Sequence, residues 1–255
     1  MVKISILGAG NVGWLFFNYF STTKEDQVIQ WFNRNINSIE SYKNEVSITN
    51  RIEELKEADV YLLCLSDDIL PEISAKLNSL KGIIAHTAGS VSMDVLSDHE
   101  NHGVFYPLQT FSKNRAVDFE NIPICIEGNN NLSEETLNKL ATHISKKIHA
   151  INSKQRMGLH TAAVFVNNFT NHLYQIGNEI CEEQQVSFEM LLPLINETAS
   201  KIESITPKEA QTGPALRKDI NTIQKHLDLL TNPEFKNLYL TLTDSIQKND
   251  EHSKL

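Results

Sequence analysis

Apolar and polar residues follow two different rhythms along this chain, and the change falls near residue 152. Before it, short β-type runs alternate with helix-type stretches. VKISIL (2–7), VIQWF (28–32), EVSIT (45–49), DVYLLCL (59–65), GIIAHTA (82–88), GVFYPL (103–108), IPICIEG (122–128) and KIHAI (147–151) read as strands. DVYLLCL is apolar almost throughout, the mark of a central strand buried on both faces. Helices are expected at about 11–22, 69–80 and 133–146, the last opening at Ser133 with Glu134 and Glu135 in its first turn. This alternation predicts an α/β Rossmann domain with a doubly wound, mainly parallel sheet.

Beyond Ser153 the strand pattern stops. A helical rhythm runs over 153–183, and further helices fit at 187–204, 214–230 and 233–247. Ser187, Thr212-Gly213-Pro214 and Asn232-Pro233 punctuate them, with Thr212 and Pro214 placed to start the third. The tail QKNDEHSKL (247–255) is polar and reads as frayed. No low-complexity linker separates the halves. The expected organisation is a nucleotide-binding domain over 1–152 joined tightly to an all-α domain over 153–255.

Composition narrows the function classes. The 255 residues include 23 Lys+Arg and 32 Asp+Glu, a formal net charge of −9. An acidic chain without a long basic run is a poor partner for nucleic acid. No apolar run approaches the roughly 20 residues of a membrane-spanning helix, so no membrane partner is expected. Cys64, Cys125 and Cys181 are an odd, widely spaced set without a C-x-x-C pair, which argues against a disulfide framework or a metal site. The opening MVKISILGAG lacks the features of a secretory signal, and a cytoplasmic location is expected.

The most informative motif is Gly8-Ala9-Gly10-Asn11-Val12-Gly13. It follows a strand and opens a helix, the context that turns a loose pattern into a dinucleotide-binding signature. Gly8 permits the tight turn, Gly10 lets a pyrophosphate approach the backbone, and Gly13 lets helix and strand pack closely. The helix N-terminus, at Asn11 and Val12, offers free amides and a partial positive charge to phosphate. An NAD site carries a carboxylate at the end of the second strand. Here Asn33-Arg34 stands there instead, and a guanidinium can pair bidentately with a 2′-phosphate. The expected cofactor is therefore NADP(H). Leu65 and Ser66 end the central strand on the edge where such sheets bind ligands. Cys64 reads as a small buried hydrophobe.

Four segments, ILGAGNVG (6–13), AHTAGS (85–90), FYPLQTF (105–111) and TGPALRKD (212–219), resemble those of the 6-phosphogluconate dehydrogenase-like superfamily. Within it, the chain resembles the bacterial NADP-dependent oxidoreductases that join a Rossmann-like domain to a C-terminal helical domain of unknown function. The resemblance implies an NADP(H)-dependent oxidoreductase acting on a small polar carbonyl or imine, and a homodimer formed through the C-terminal helices. In the β-hydroxyacid dehydrogenases a catalytic lysine precedes an Asn-Asn pair by three residues. That position is Val164 here, so a lysine mechanism does not carry over.

The candidate catalytic residues are accordingly His160, His86, Asn167 and Arg217. Histidine exchanges protons near neutral pH, and His160 lies one turn before the vacant lysine position. Offsets of 4, 7 and 11 put Val164, Asn167 and Asn171 on the face of His160. His86, Thr87 and Gly89 end the strand after the central one, where they would meet a nicotinamide or substrate. Gln109 and Thr110 would reach the same edge. Arg217 could bind an anionic group, with Asp219 orienting it, while Lys218 stands where the family pattern has glycine. The missing lysine leaves a second possibility, a non-catalytic NADP(H)-binding sensor.

Overall fold

The computed structural model describes residues 1–23, 25–112 and 117–251. Two compact units emerge, residues 1–167 and 168–255. The first holds eight strands among the described residues: β1 (Lys3–Leu7), β2 (Gln27–Phe32), β3 (Ser47–Thr49), β4 (Val60–Leu63), β5 (Ile83–His86), β6 (His102–Pro107), β7 (Ile124–Gly128) and β8 (Ile148–Ala150). They form one sheet in the order β3-β2-β1-β4-β5-β6-β7-β8. All neighbours run parallel except β6 and β7, which pair antiparallel with Tyr106 opposite Cys125.

β4 is buried along its whole length and its side chains alternate between two cores, as a period of two requires. Val60 and Leu62 join Ile4, Ile6, Phe16 and Phe17 on one face. Tyr61 and Leu63 join Leu7, Leu70, Leu77 and Ile84 on the other. Helix α1 (Asn11–Thr22) lays Phe16, Phe17 and Phe20 against the first face. Trp31 of β2 stacks on Phe17, ring centroids 4.3 Å apart, and donates its indole N–H to the Gly8 carbonyl at 2.8 Å. The core thus reaches directly into the glycine loop.

Helix α2 (Leu70–Ala75) is shorter than the stretch expected over 69–80. Helix α3 (Asn131–Thr142) begins earlier than expected, because its cap is Asn130 rather than Ser133. The Asn130 carboxamide oxygen accepts from the Ser133 amide at 2.9 Å, and the buried Ser133 hydroxyl turns to Asn129. Asn caps as well as Ser, and the extended Asn130 backbone decides between them. Helix α4 (Ser153–Ala163) belongs to the first unit, so that unit extends past the end of the strands to Asn167. The cause is Glu127 of β7. It accepts from the Ser153 amide and hydroxyl, each at 2.8 Å, and pairs with the buried Arg156 guanidinium.

The long helix expected over 153–183 is interrupted by a π turn at Val164–Phe169 before α5 (Thr170–Glu183). The second unit continues with α6 (Leu192–Lys201), α7 (Pro207–Ala210), α8 (Ile220–Leu229) and α9 (Pro233–Glu251). α8 starts at Ile220 rather than near Pro214, because Asp219 caps it by accepting from the Thr222 amide at 3.1 Å. Lys218 takes a left-handed φ of 55°, the conformation that glycine adopts without strain, at the position where a glycine was expected. α9 runs to Glu251, through the first part of the tail expected to fray; the last four residues of that tail lie outside the described residues. Among the described residues no helix is long and apolar enough to cross a membrane.

Replacing Asn130 by Ala should cost about 1 kcal/mol, the usual worth of an N-cap. Urea unfolding of the variant would show it as a lower midpoint, and an unchanged midpoint would return the cap to Ser133.

Candidate active site

The carboxyl ends of β1, β2, β4, β5 and β6 converge on one edge of the first unit, and the predicted residues of that unit divide between this edge and the structure behind it. Gly8 has φ +114°, and a Cβ on it would lie 2.2 Å from the Cys64 carbonyl oxygen. A Cβ on Gly13 would lie 2.2 Å from the Gly8 carbonyl oxygen. Both glycines are thus demanded by the chain itself. Gly10 differs. Its backbone is ordinary extended geometry, φ −69° and ψ −175°, and a Cβ would meet no protein atom within 4 Å. The space beside it is open, at the N-terminus of a helix that has no side-chain cap. Those two features together suit an anionic group.

Beside the loop lies a cavity of about 530 Å³ lined by Gly8, Gly10, Asn33, Arg34, Leu65 and Ser66 among others. Sequence reasoning missed the residues that complete it: Asn50, Arg51 and Glu53 after β3, and Glu72 and Lys76 on or beside α2. Nothing in a one-dimensional motif ties these to Arg34; the parallel pairing of β2 with β3 brings Asn50, Arg51 and Glu53 beside it. Asn33 is fixed at both ends, its amide donating to the Thr49 carbonyl at 3.1 Å and its side chain to the Asn35 carbonyl at 2.8 Å.

The other predicted cofactor residues take different places. Val12 packs against the first core. The Asn11 carboxamide donates to the Phe111 carbonyl at 2.8 Å and so ties the glycine loop to the segment after β6. Thr87 is buried and bonds the Leu63 carbonyl. Cys64 behind it is buried too, and desolvation pushes its thiol up to about 12, so it is no nucleophile at neutral pH.

Gly89 serves the histidine. A Cβ there would lie 2.5 Å from His160 Nδ1 and 2.9 Å from Tyr106 Cζ. The Tyr106 hydroxyl and His160 Nδ1 are 3.1 Å apart, and the rings meet edge to face. His160 is partly exposed and Tyr106 is nearly buried. Burial raises the Tyr106 phenol above its ordinary value, which keeps it protonated and able to donate. Tyr106 was visible in the sequence within FYPLQTF, but without its partner it carried no signal. Gln109 turns back on its own loop, accepting from the Thr110 amide at 2.8 Å. Ser90 bonds Asp67, which links the loops after β4 and β5.

His86 sits behind this surface, fully buried. Its Nδ1 accepts from the Ala88 amide at 3.2 Å. Desolvation, helped by the Arg156 charge and opposed by the Ser92 backbone, pushes it down to about 4. It is therefore neutral at physiological pH and out of reach of a substrate. Asn167 is exposed within the π turn. A π turn closes its hydrogen bonds over five residues instead of four, so the regular offsets that placed Asn167 on the His160 face do not hold through it. Arg217 lies in the second unit, exposed in the turn before α8, near the Asp219 carboxylate whose value its charge helps to lower, after the capping bonds to Thr222. Among the described residues no group of three His, Cys, Asp or Glu side chains could hold a metal ion.

Comparison with known proteins agrees with this architecture. Residues 122–246 match a family described as a domain of unknown function, DUF2520. A Bacteroides fragilis protein described as a "putative NADP oxidoreductase" is 36% identical, with a TM-score of 0.89 over 97% of this chain and 98% of that one. A Thermotoga maritima protein is 18% identical, with a TM-score of 0.76 over 96% of this chain and 99% of that one. The imine reductase of Myxococcus stipitatus, solved with NADP⁺, is 11% identical and shares the fold, with a TM-score of 0.67 over 98% of this chain and 93% of that one. No functionally curated protein matches the chain.

The buried His86 makes stability depend on pH. Its folded-state value lies near 4 and the ordinary value is 6.5, so between these the unfolded chain binds a proton that the folded chain does not. Its contribution is complete above pH 6.5 and is lost as pH falls toward 4. From pH 7.5 to 5 the loss should be about 2 kcal/mol. A His86→Asn variant, unfolded in urea at both pH values, should lose less by that amount. An identical pH dependence in both proteins would contradict the assignment.

Proposed function

The chain belongs to the 6-phosphogluconate dehydrogenase-like oxidoreductases that join a Rossmann-like unit to a helical domain of unknown function, and on that premise we propose that it is an NADP(H)-dependent enzyme reducing, or forming by oxidation, a small polar carbonyl or imine. The observation that carries this reading is the division of labour among three glycines. Gly8 and Gly13 are required by internal contacts, whereas Gly10 leaves open space at an uncapped helix N-terminus. A pyrophosphate fits that space and would accept from the first-turn amides. Arg34 and Asn33, on the wall of the adjoining cavity, suit a phosphate at the ribose 2′ position.

The bound nicotinamide supplies the hydride. The chain supplies position and a proton. The Tyr106 hydroxyl engages His160 Nδ1 across 3.1 Å and leaves Nε2 free to meet a substrate oxygen or nitrogen. As the imidazolium, His160 gives up its Nε2 proton and is left as the neutral ring with its Nδ1–H donating to the Tyr106 oxygen. Gly89 keeps the room this ring needs. His160 is the proton donor of this reading, and Tyr106 is the positioning residue that fixes its tautomer.

A homodimer through the helical domain is part of the same proposal. In residues 168–255 the buried hydrophobics among the described residues are Ile176, Ala215 and Leu230, while Phe169, Leu173, Met190, Leu194 and Ile220 stand exposed. So small a buried set supplies little of the stabilisation that a helical unit needs. A second copy would cover the exposed face. Light scattering should give twice the 28.9 kDa chain mass, and a single-chain mass at micromolar concentration would refute the dimer.

The catalytic assignment is tested by His160→Ala. Turnover with a ketone or imine panel should fall about 100-fold or more while NADPH affinity holds. Gly89→Ala should lower turnover in the same direction by pushing the ring aside. Equal turnover in His160→Ala and the unaltered enzyme would remove His160 from the chemistry. NADPH that binds but is never consumed by any carbonyl or imine would favour the sensor.

A further inference from the structure

The cavity beside the glycine loop holds two cations beyond the Arg34 that follows β2, with the carboxylates of Glu53 and Glu72 in the same lining. Arg34 follows β2, Arg51 follows β3, and Lys76 follows α2, and all three line the same space. This concentration occurs in a chain whose formal net charge is −9.

Two of the cations have carboxylate partners that differ in grip. Lys76 lies 2.6 Å from Glu72, and the Glu72 carboxyl is held below its ordinary value by Lys76 first and by Arg34 as well. Arg51 meets Glu54 at 3.3 Å, with both side chains at least half exposed. Glu54 is already committed elsewhere, because its other oxygen accepts from the Thr49 hydroxyl at 2.6 Å. An exposed ion pair of that kind contributes little, so Arg51 can exchange it for a phosphate that offers two oxygens to its planar fork.

The base of Arg51 is nevertheless fixed. Its amide donates to the buried Thr49 hydroxyl at 3.1 Å. The Thr49 carbonyl in turn accepts from the Asn33 amide at 3.1 Å. One buried threonine thus clips the turn that carries Arg51 to the turn that carries Asn33 and Arg34. A motif read along the chain sees only the second of these turns.

We propose that Arg51 is a second residue selecting for the 2′-phosphate of NADP(H), acting with Arg34 across the Thr49 clip. Lys76 neutralises Glu72, whose carboxylate would otherwise repel the phosphate. This rests on the reading of the chain as an NADP(H) enzyme and goes beyond the single arginine that the end of β2 provides.

The test is a titration with NADPH and with NADH, followed by nicotinamide fluorescence. Arg51→Ala should weaken NADPH about tenfold and leave NADH within about twofold. Glu72→Gln should tighten NADPH and leave NADH alone. Arg51→Lys should recover part of the loss, since charge returns without the fork. If Arg51→Ala leaves the NADPH to NADH ratio unchanged while Arg34→Ala lowers it, the Arg51 proposal is overturned and the cofactor reading survives. If the unaltered protein binds neither nucleotide, the cofactor reading fails, and the Arg51 proposal with it. A Thr49→Val protein that keeps its fold should lower the ratio less than Arg51→Ala does; a larger fall would move the specificity from Arg51 to the clip and overturn its assigned role.

Discussion

The architecture turns on one close approach, the packing of the β1–α1 loop against the ends of its neighbours. Gly8 lies against the Cys64 carbonyl and Gly13 against the Gly8 carbonyl, with 2.2 Å between an added Cβ and the oxygen in each case. No side chain can enter either contact without moving backbone. Trp31, fully buried, holds the Gly8 carbonyl from behind. The loop is therefore pinned by the core on one side and by β4 on the other. The start of α1 is aimed by those contacts, and the open space beside Gly10 is their consequence.

A second anchor carries His160, the proposed proton donor. The sheet alone has no reason to hold α4. Glu127 supplies one, gathering the Ser153 amide and hydroxyl and the Arg156 guanidinium, which is 1% exposed. Arg156 also bonds the Val91 carbonyl, so the loop carrying Gly89 and Ser90 is tied to the same helix. Removing one member of such a buried pair leaves an uncompensated charge, at a cost of about 3–5 kcal/mol. That network brings His160 to Tyr106 and Gly89, one turn beyond Arg156. His86 belongs to the scaffold beneath, where burial keeps it neutral.

Much of this was legible in the residues. The eight strands were, because alternation and continuous apolar runs are local signals that burial leaves on a chain. The glycine motif was, since its context is also local. The start of α3 was less so: Asn130 and Ser133 can both cap, and only the backbone at Asn130 decides. The π turn at Val164–Phe169 was not legible, because hydrogen bonding over five residues leaves no periodic mark in so short a segment. Tyr106 and Arg51 were missed for a third reason. The role proposed for each depends on a residue elsewhere in the sequence, His160 in one case and Arg34 in the other, which the fold brings beside it.

The central claim is that the space beside Gly10 exists for a ligand and not for the fold. Gly10→Ala tests it without disturbing the chain, since the backbone there suits alanine and the added methyl meets no protein atom within 4 Å. The variant should melt within about 2 °C of the unaltered protein and bind NADPH at least about tenfold more weakly. Unchanged NADPH affinity in a fully folded Gly10→Ala protein would contradict the account.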